Sequence, residues 1–160
     1  MKVDFVDEML KIIQESGVEP SFIRLEMTEG ILIDSYDTGA EAFRALQETG
    51  VTLALDDFGT GYSSLKYLSE LPLDILKIDR SFVDHMASNE QDYELFKAII
   101  EISHKKGIAG VAEGVETREQ MHKVVEVNCG YIQGYYLSRP LREEKIRALI
   151  NLTFDPSDEG

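Results

Sequence analysis

The sequence predicts an α/β domain built on a parallel sheet with helices outside it. Two observations carry this: apolar strand-like runs alternate with helix-period segments five times, and every connection is long enough for a helical crossover. A third bounds it. With 160 residues, 43% hydrophobic content and only four prolines, the chain is one ordinary globular domain with material for a real core.

The start, "MKVDFVDEMLKIIQES", reads as a charged amphipathic helix over roughly Val3 to Glu15, closed by Ser16-Gly17, and not as a signal peptide. The expected strands are "FIRLEMTE", "VTLALDD", "DILKID", "IAGVAEG" and "YIQG". Helices are expected after them at Thr38 to Glu48, Ser63 to Leu71, Gln91 to Lys106, Thr117 to Val127 and Arg142 to Asn151. Residues 1–152 are expected to form the domain and 153–160, ending in "DPSDEG", a tail.

Composition narrows the function. Thirty acidic residues against 16 basic give a net charge of -14, which excludes a duplex nucleic acid surface and leaves room for an anionic ligand only where cations reverse the field. One cysteine, Cys129, excludes an internal disulfide and a cysteine-rich zinc site. The 18-residue apolar span that a membrane helix needs is absent, and the chain is expected to be cytoplasmic.

Parallel sheets of this kind carry their chemistry at the carboxyl ends of the strands. Here Glu26 and Glu29 close the first strand, Asp56 and Asp57 the second, Lys77 and Asp79 the third, Glu113 and Glu116 the fourth, and Gln133 the fifth. Five strands thus deliver carboxylates, one ammonium and one amide to a common face. Adjacent aspartates then have a reason, since divalent cations would offset their repulsion. A plainer account also exists: acids after strands often cap the next helix, and Gly59-Thr60-Gly61 could serve only as a turn.

Other motifs fail. "DFG" stands without a Gly-rich phosphate loop or an HRD segment, and "GTGYSS" lacks the lysine of a P-loop. His85, His104 and His122 sit in or beside helix-like segments, where surface or packing roles suit them, and Cys129 suits a small buried apolar role.

"RLEMTE", "LALDDFGTGYSSLKYLSELPLDILKIDRSFV", "GVAEGVETREQ" and "YIQGYYLSRPL" resemble successive signature segments of the EAL-domain family of cyclic di-GMP phosphodiesterases, in order and spacing, from about residue 5 to 142. The resemblance implies a modified (β/α)8 barrel binding two Mg2+ or Mn2+ ions and hydrolysing cyclic di-GMP to pGpG. Carried over by motif, Glu26, Asp56, Asp57 and Glu113 would hold the metals. Lys77 would orient or polarise the attacking water, and Gln133 would hold a water or substrate group. Glu29 would anchor the loop of Gly59, Thr60 and Gly61, with Asp79 and Glu116 supporting the site from behind.

Two family segments do not occur in these 160 residues: the Glu-Ala-Leu triplet and the Asn-x-Ser motif, each of which supplies a metal ligand. Counting units agrees, since a closed barrel needs eight strands and only five are found. The fold expected is therefore an incomplete TIM-like (β/α) barrel of about five parallel units preceded by a helix. Its open edges call for a second copy or for the N-terminal helix packed over the gap. Two functions follow: a cyclic di-GMP phosphodiesterase with catalysis impaired in the isolated chain, or an inactive cyclic di-GMP- and metal-binding or oligomerising regulatory module.

Overall fold

A computed structural model describes residues 3–30, 43–60, 68 and 70–150. Helix α1 spans Val3–Ser16, and a short 3-10 turn at Pro20–Phe22 leads into strand β1, Arg24–Thr28. Residues 43–47 are helical. Then come β2 (Thr52–Phe58), β3 (Ile75–Ile78), α2 (Arg80–Met86), α3 (Glu90–Lys106), β4 (Ala109–Glu113), α4 (Arg118–Glu126), β5 (Tyr131–Gln133) and α5 (Glu143–Leu149). The five strands are parallel and ordered β1-β2-β3-β4-β5. This open five-stranded arc with helices between its strands is the incomplete barrel the sequence predicts.

Strand periodicity divides the sheet into two faces, because registered partners on parallel strands share a side. Leu25, Leu53, Leu55, Leu76, Ile78 and Ala112 belong to one large apolar cluster. Into it the helices set Val83 and Met86 of α2, Phe96 and Ile100 of α3, and Met121 and Val124 of α4. On the other face Ala54, Ile75 and Val111 form a second, smaller cluster with Ala109. Helix α1 contributes Val6 and Ile13 to the large cluster and nothing to the small one. Those two side chains place α1 with the large cluster, on the helix-covered side of the sheet.

Local chemistry sets most boundaries. Asn89 caps α3 by accepting from the Gln91 amide, Glu90 and Asp92 sit in the first turn, Lys105 and Lys106 in the last, and Gly107 ends it. Tyr93, Phe96, Ile99, Ile100 and Ser103 make its buried stripe. At the opposite end of the sheet the Leu53 amide donates to Asp74 Oδ2 at 2.8 Å, and the Asp74 amide donates to the Leu53 carbonyl at 3.0 Å. Each expected strand forms within two residues of its stated limits. Helix α2 was not among the expected elements: with seven residues and only Val83 and Met86 buried, it shows no sustained period. The expected helix Ser63 to Leu71 lies almost wholly outside the described residues, as do Gly61 and the tail. No described helix is long and apolar enough to cross a membrane.

The turn from β4 into α4 is fixed by a capping box. Thr117 Oγ1 accepts from the Gln120 amide at 3.2 Å, and Gln120 Oε1 accepts from the amides of Glu116 and Thr117 at 2.7 and 3.0 Å. Gln120 is buried, and its Nε2 also donates to the Val83 carbonyl at 3.4 Å, tying α4 to α2. Gln120→Leu fills the same space but strands two amides, so a loss of about 2 kcal/mol is expected. Thr117→Ala should cost about 1 kcal/mol. Urea unfolding midpoints of the two variants check this order.

Candidate metal centre

Glu26, Asp56, Lys77 and Glu113 come from four adjacent strands and meet at one place. Lys77, on the central strand, sends its ammonium to Asp56 Oδ1 at 2.8 Å, Glu26 Oε2 at 2.9 Å and Glu113 Oε1 at 3.0 Å. Its side chain is only 9% exposed, against 40% for Glu26. Burial lowers the lysine's pKa, but the hydrogen bonds it donates to Asp56, Glu26 and Glu113 and the charge of Glu113 outweigh it, leaving the pKa well above its ordinary 10.5. A group raised in the folded state contributes stability that is complete below its unfolded pKa and lost only as pH rises through the folded one. The triple pairing is therefore intact at neutral pH.

Consecutive strand residues point to opposite faces, so Asp56 and Asp57 should diverge. They do not. Between Leu55 and Phe58, strand β2 advances three residues while β3 advances two, from Leu76 to Ile78. This is a bulge, and within it Asp57 takes φ 55°, a left-handed conformation that aspartate tolerates better than most residues. As a result Asp56, Asp57 and Glu113 each offer a carboxylate oxygen within 4.8 Å of the others. Burial holds the Glu113 pKa above its ordinary value; hydrogen bonds from Lys77 pull it down, and the charges of Asp56 and Asp57 push it up.

The remaining strand-end residues are placed as follows. Glu26 meets the others through Lys77 and stands outside the three-carboxylate cluster. Glu29 is buried just beyond β1, and its Oε2 accepts from the Gly59 amide at 3.1 Å. Thr60 donates its hydroxyl to the Asp57 carbonyl at 3.0 Å. Asp79 caps α2 by accepting from the Ser81 amide at 3.0 Å; burial opposes, but the bonds from Ser81 hold its pKa below the ordinary value. Glu116 pairs with Arg80 at 2.8 Å. Gln133 lies with Glu113, Tyr135 and Arg139 around a cavity of about 410 Å³. The Arg139 guanidinium stands 4.6 Å from the centre of the Tyr135 ring.

Sequence reasoning missed Arg80, Tyr135 and Arg139. Arg80 directly follows "KID", and the other two follow "QG" in "YIQGYYLSRP", so the strand-end rule applied one turn further along would have found them. Away from this site, His85, His104 and His122 lie on α2, α3 and α4. Cys129 packs, partly buried, against the main cluster, and that burial pushes its thiol pKa up.

The EAL domain family model matches residues 1–140 of this sequence. The chain belongs to the EAL domain family. It is 43% identical over 151 residues to the cyclic di-GMP phosphodiesterase NbdA of Pseudomonas aeruginosa, covering 92% of this chain and 19% of that protein. The crystal structure of the EAL domain of Mycobacterium smegmatis DcpA superposes with a TM-score of 0.84 at 37% identity, covering 93% of this chain and 67% of the other. A manganese and cyclic di-GMP complex of Klebsiella pneumoniae BlrP1 superposes with a TM-score of 0.78 at 31% identity, covering 87% and 36%. The chain spans about a fifth of the length of the curated relatives it matches.

Removing the ammonium tests the centre directly. In Lys77→Met, carboxylates of three strands face one another unpaired, and a loss of roughly 2 kcal/mol is expected, below the range for fully buried pairs because Glu26 is partly exposed. Thermal denaturation should show this loss in chelator and its partial recovery in millimolar Mn2+.

Proposed function

We propose that this chain carries the metal-binding half of an EAL-type phosphodiesterase site, with cyclic di-GMP as substrate and pGpG as product. The observation that supports it most is the bulge at Asp57, which turns two consecutive carboxylates toward Glu113. A fold gains nothing for its own stability by crowding like charges at a strained residue. Three hard oxygen donors suit Mg2+ or Mn2+. Asp56, Asp57 and Glu113 would hold such ions, and Glu26 would join as a ligand by releasing Lys77. Bound metal supplies an acidified water and charge stabilisation at a phosphoryl oxygen.

The chain's own residues do the rest. Lys77 would hold the attacking water and balance negative charge developing on the phosphate, while Gln133 would hold a water or a substrate group. Glu29 fixes the Gly59 turn, and Glu116 steadies Arg80 at the edge of the cavity. The Glu-Ala-Leu and Asn-x-Ser segments are absent from these 160 residues, so efficient turnover needs their ligands from elsewhere, either other parts of a longer protein or a second copy. Strands β1 and β5, at the edges of the described sheet, are where such strands would pair. We place the module in the cytoplasm. The alternative, a binding module without catalysis, draws on the same absence.

Titration of the 160-residue chain with Mn2+, then with cyclic di-GMP in Mn2+ or in EDTA, tests the reading, with product analysis for pGpG. Metal binding, and nucleotide binding abolished by EDTA, are expected; no heat with metal at any concentration would end the proposal. Binding without pGpG would favour the alternative. Asp57→Asn keeps a side chain suited to left-handed backbone while removing one like charge, so it should stabilise the metal-free chain by about 1 kcal/mol and weaken Mn2+ binding at least tenfold.

Acidity supplies a further check. Glu113 is raised, so its folded-state proton must leave before it can ligate, and any stability that proton lends disappears as pH rises through the raised pKa. Affinity for Mn2+ is expected to climb as pH rises through the raised Glu113 pKa, with proton release followed by calorimetry in buffers of different ionisation heat.

A further inference from the structure

The carboxylates of Asp57 and Glu113 sit at the ends of β2 and β4, two strands that are not neighbours. Each is followed by a glycine in the left-handed region: Gly59 with φ 100°, two residues after Asp57, and Gly114 with φ 72°, immediately after Glu113. Both glycines rest on the same turn of helix. A Cβ at Gly59 would overlap the ring of Phe82, and a Cβ at Gly114 would come within 2.9 Å of three carbons of the Arg80 side chain.

That turn is itself well held. The Asp79 amide donates to the Phe58 carbonyl at 3.4 Å, Asp79 caps the helix, and Val83 and Met86 bury its underside. The Arg80 guanidinium bonds Asp84 at 3.0 Å and Glu116 at 2.8 Å, which pins its carbon stem flat beneath Gly114. Gln120 adds the bond to the Val83 carbonyl.

We infer that the first turn of α2 sets the spacing of the carboxylate cluster, with Phe82 as the positioning residue for the Asp57 turn and the Arg80 stem as the positioning residue for the Glu113 turn. Its consequence for metal rests on the function proposed above; its geometry does not. Side chains behind a metal site commonly change affinity 10- to 100-fold when removed. Arg80 is 52% exposed, so its truncation leaves the core intact.

The test uses the full 160-residue chain and four variants: Phe82→Ala, Phe82→Leu, Arg80→Ala and Arg80→Met. Amide hydrogen exchange is read on metal-free protein, and Mn2+ affinity by calorimetry. Phe82→Ala should speed exchange at the Gly59 amide, which Glu29 holds, at least tenfold; Arg80→Ala should do so at the Val115 amide, which donates to Gln133. Amides of α3 should not change. Mn2+ binding should weaken about tenfold in both alanine variants, with recovery in Phe82→Leu and in Arg80→Met, which keeps the stem without the charge.

Unchanged exchange at Gly59 and Val115 would overturn the inference, as would a rise spread equally over α3 or an Arg80→Met variant as impaired as Arg80→Ala. So would a parent that binds Mn2+ and alanine variants that bind it within twofold as well. A parent that binds no Mn2+ while exchange rises at the two turns as expected would defeat the metal reading and leave the positioning standing.

Discussion

The Lys77 ammonium is the interaction around which the described molecule is organised. It stands on the central strand and bonds carboxylates from β1, β2 and β4, so one charge links four of five strands at their carboxyl ends. Burying an unpaired ammonium is costly, and so is burying carboxylates. Each is tolerable here only because of the others, which makes the relative positions of the strand ends interdependent. The charges do not balance: three carboxylates bond one cation, and Asp57 adds a fourth beside Asp56 and Glu113. The excess shows in Glu113, whose proton is held more tightly than usual.

The bulge in β2 follows from that demand. A regular strand offers one carboxylate per two residues to a given face. Bringing a second from the adjacent residue requires one extra residue and a left-handed turn, and the sequence supplies an aspartate at the position that must take it. Strain of this kind persists only where neighbours hold it. Here they are Glu29 on the Gly59 amide, the Phe58 carbonyl bonded by Asp79, and Phe82 beneath Gly59. The same contacts that hold the backbone therefore hold the Asp57 carboxylate beside Asp56 and Glu113.

Much of this was legible in the sequence, for reasons that differ by element. The five strands stood out because apolar runs end in ionisable residues, and their parallel order followed from the intervening helices. The candidate cluster was legible because strand ends share a face. What escaped was whatever depends on a single residue of register. A bulge leaves no mark in composition, so "LDDF" showed two acids without showing how both could face one way. Helix α2 escaped because seven residues contain too few buried positions to set a period. Asp79 looked like another site acid because it sits at a strand end, yet it spends its oxygen on the Ser81 amide, the plainer capping role open to any acid there.

The two apolar clusters explain how the fold sustains this concentration of charge. Nearly all large buried side chains, including Leu53, Leu55, Leu76, Ile78, Phe96 and Ile100, lie between sheet and helices. Among the described residues a much smaller group, Ala54, Ile75, Val111 and Ala109, underlies the charged rows on the opposite face. Cohesion is thus concentrated on one side of the sheet, where each fully buried aliphatic or aromatic chain is worth roughly 1.5–3 kcal/mol. The other side carries Lys77 and an excess of carboxylates over a thin apolar layer. Because alternate residues of each strand serve the two sides, a hydrophobic row and a charged row are built from the same short segments, and neither can slip without moving the other. The packing that stabilises the helix-covered face therefore also fixes the register that aligns Glu26, Asp56, Lys77 and Glu113 across the strands.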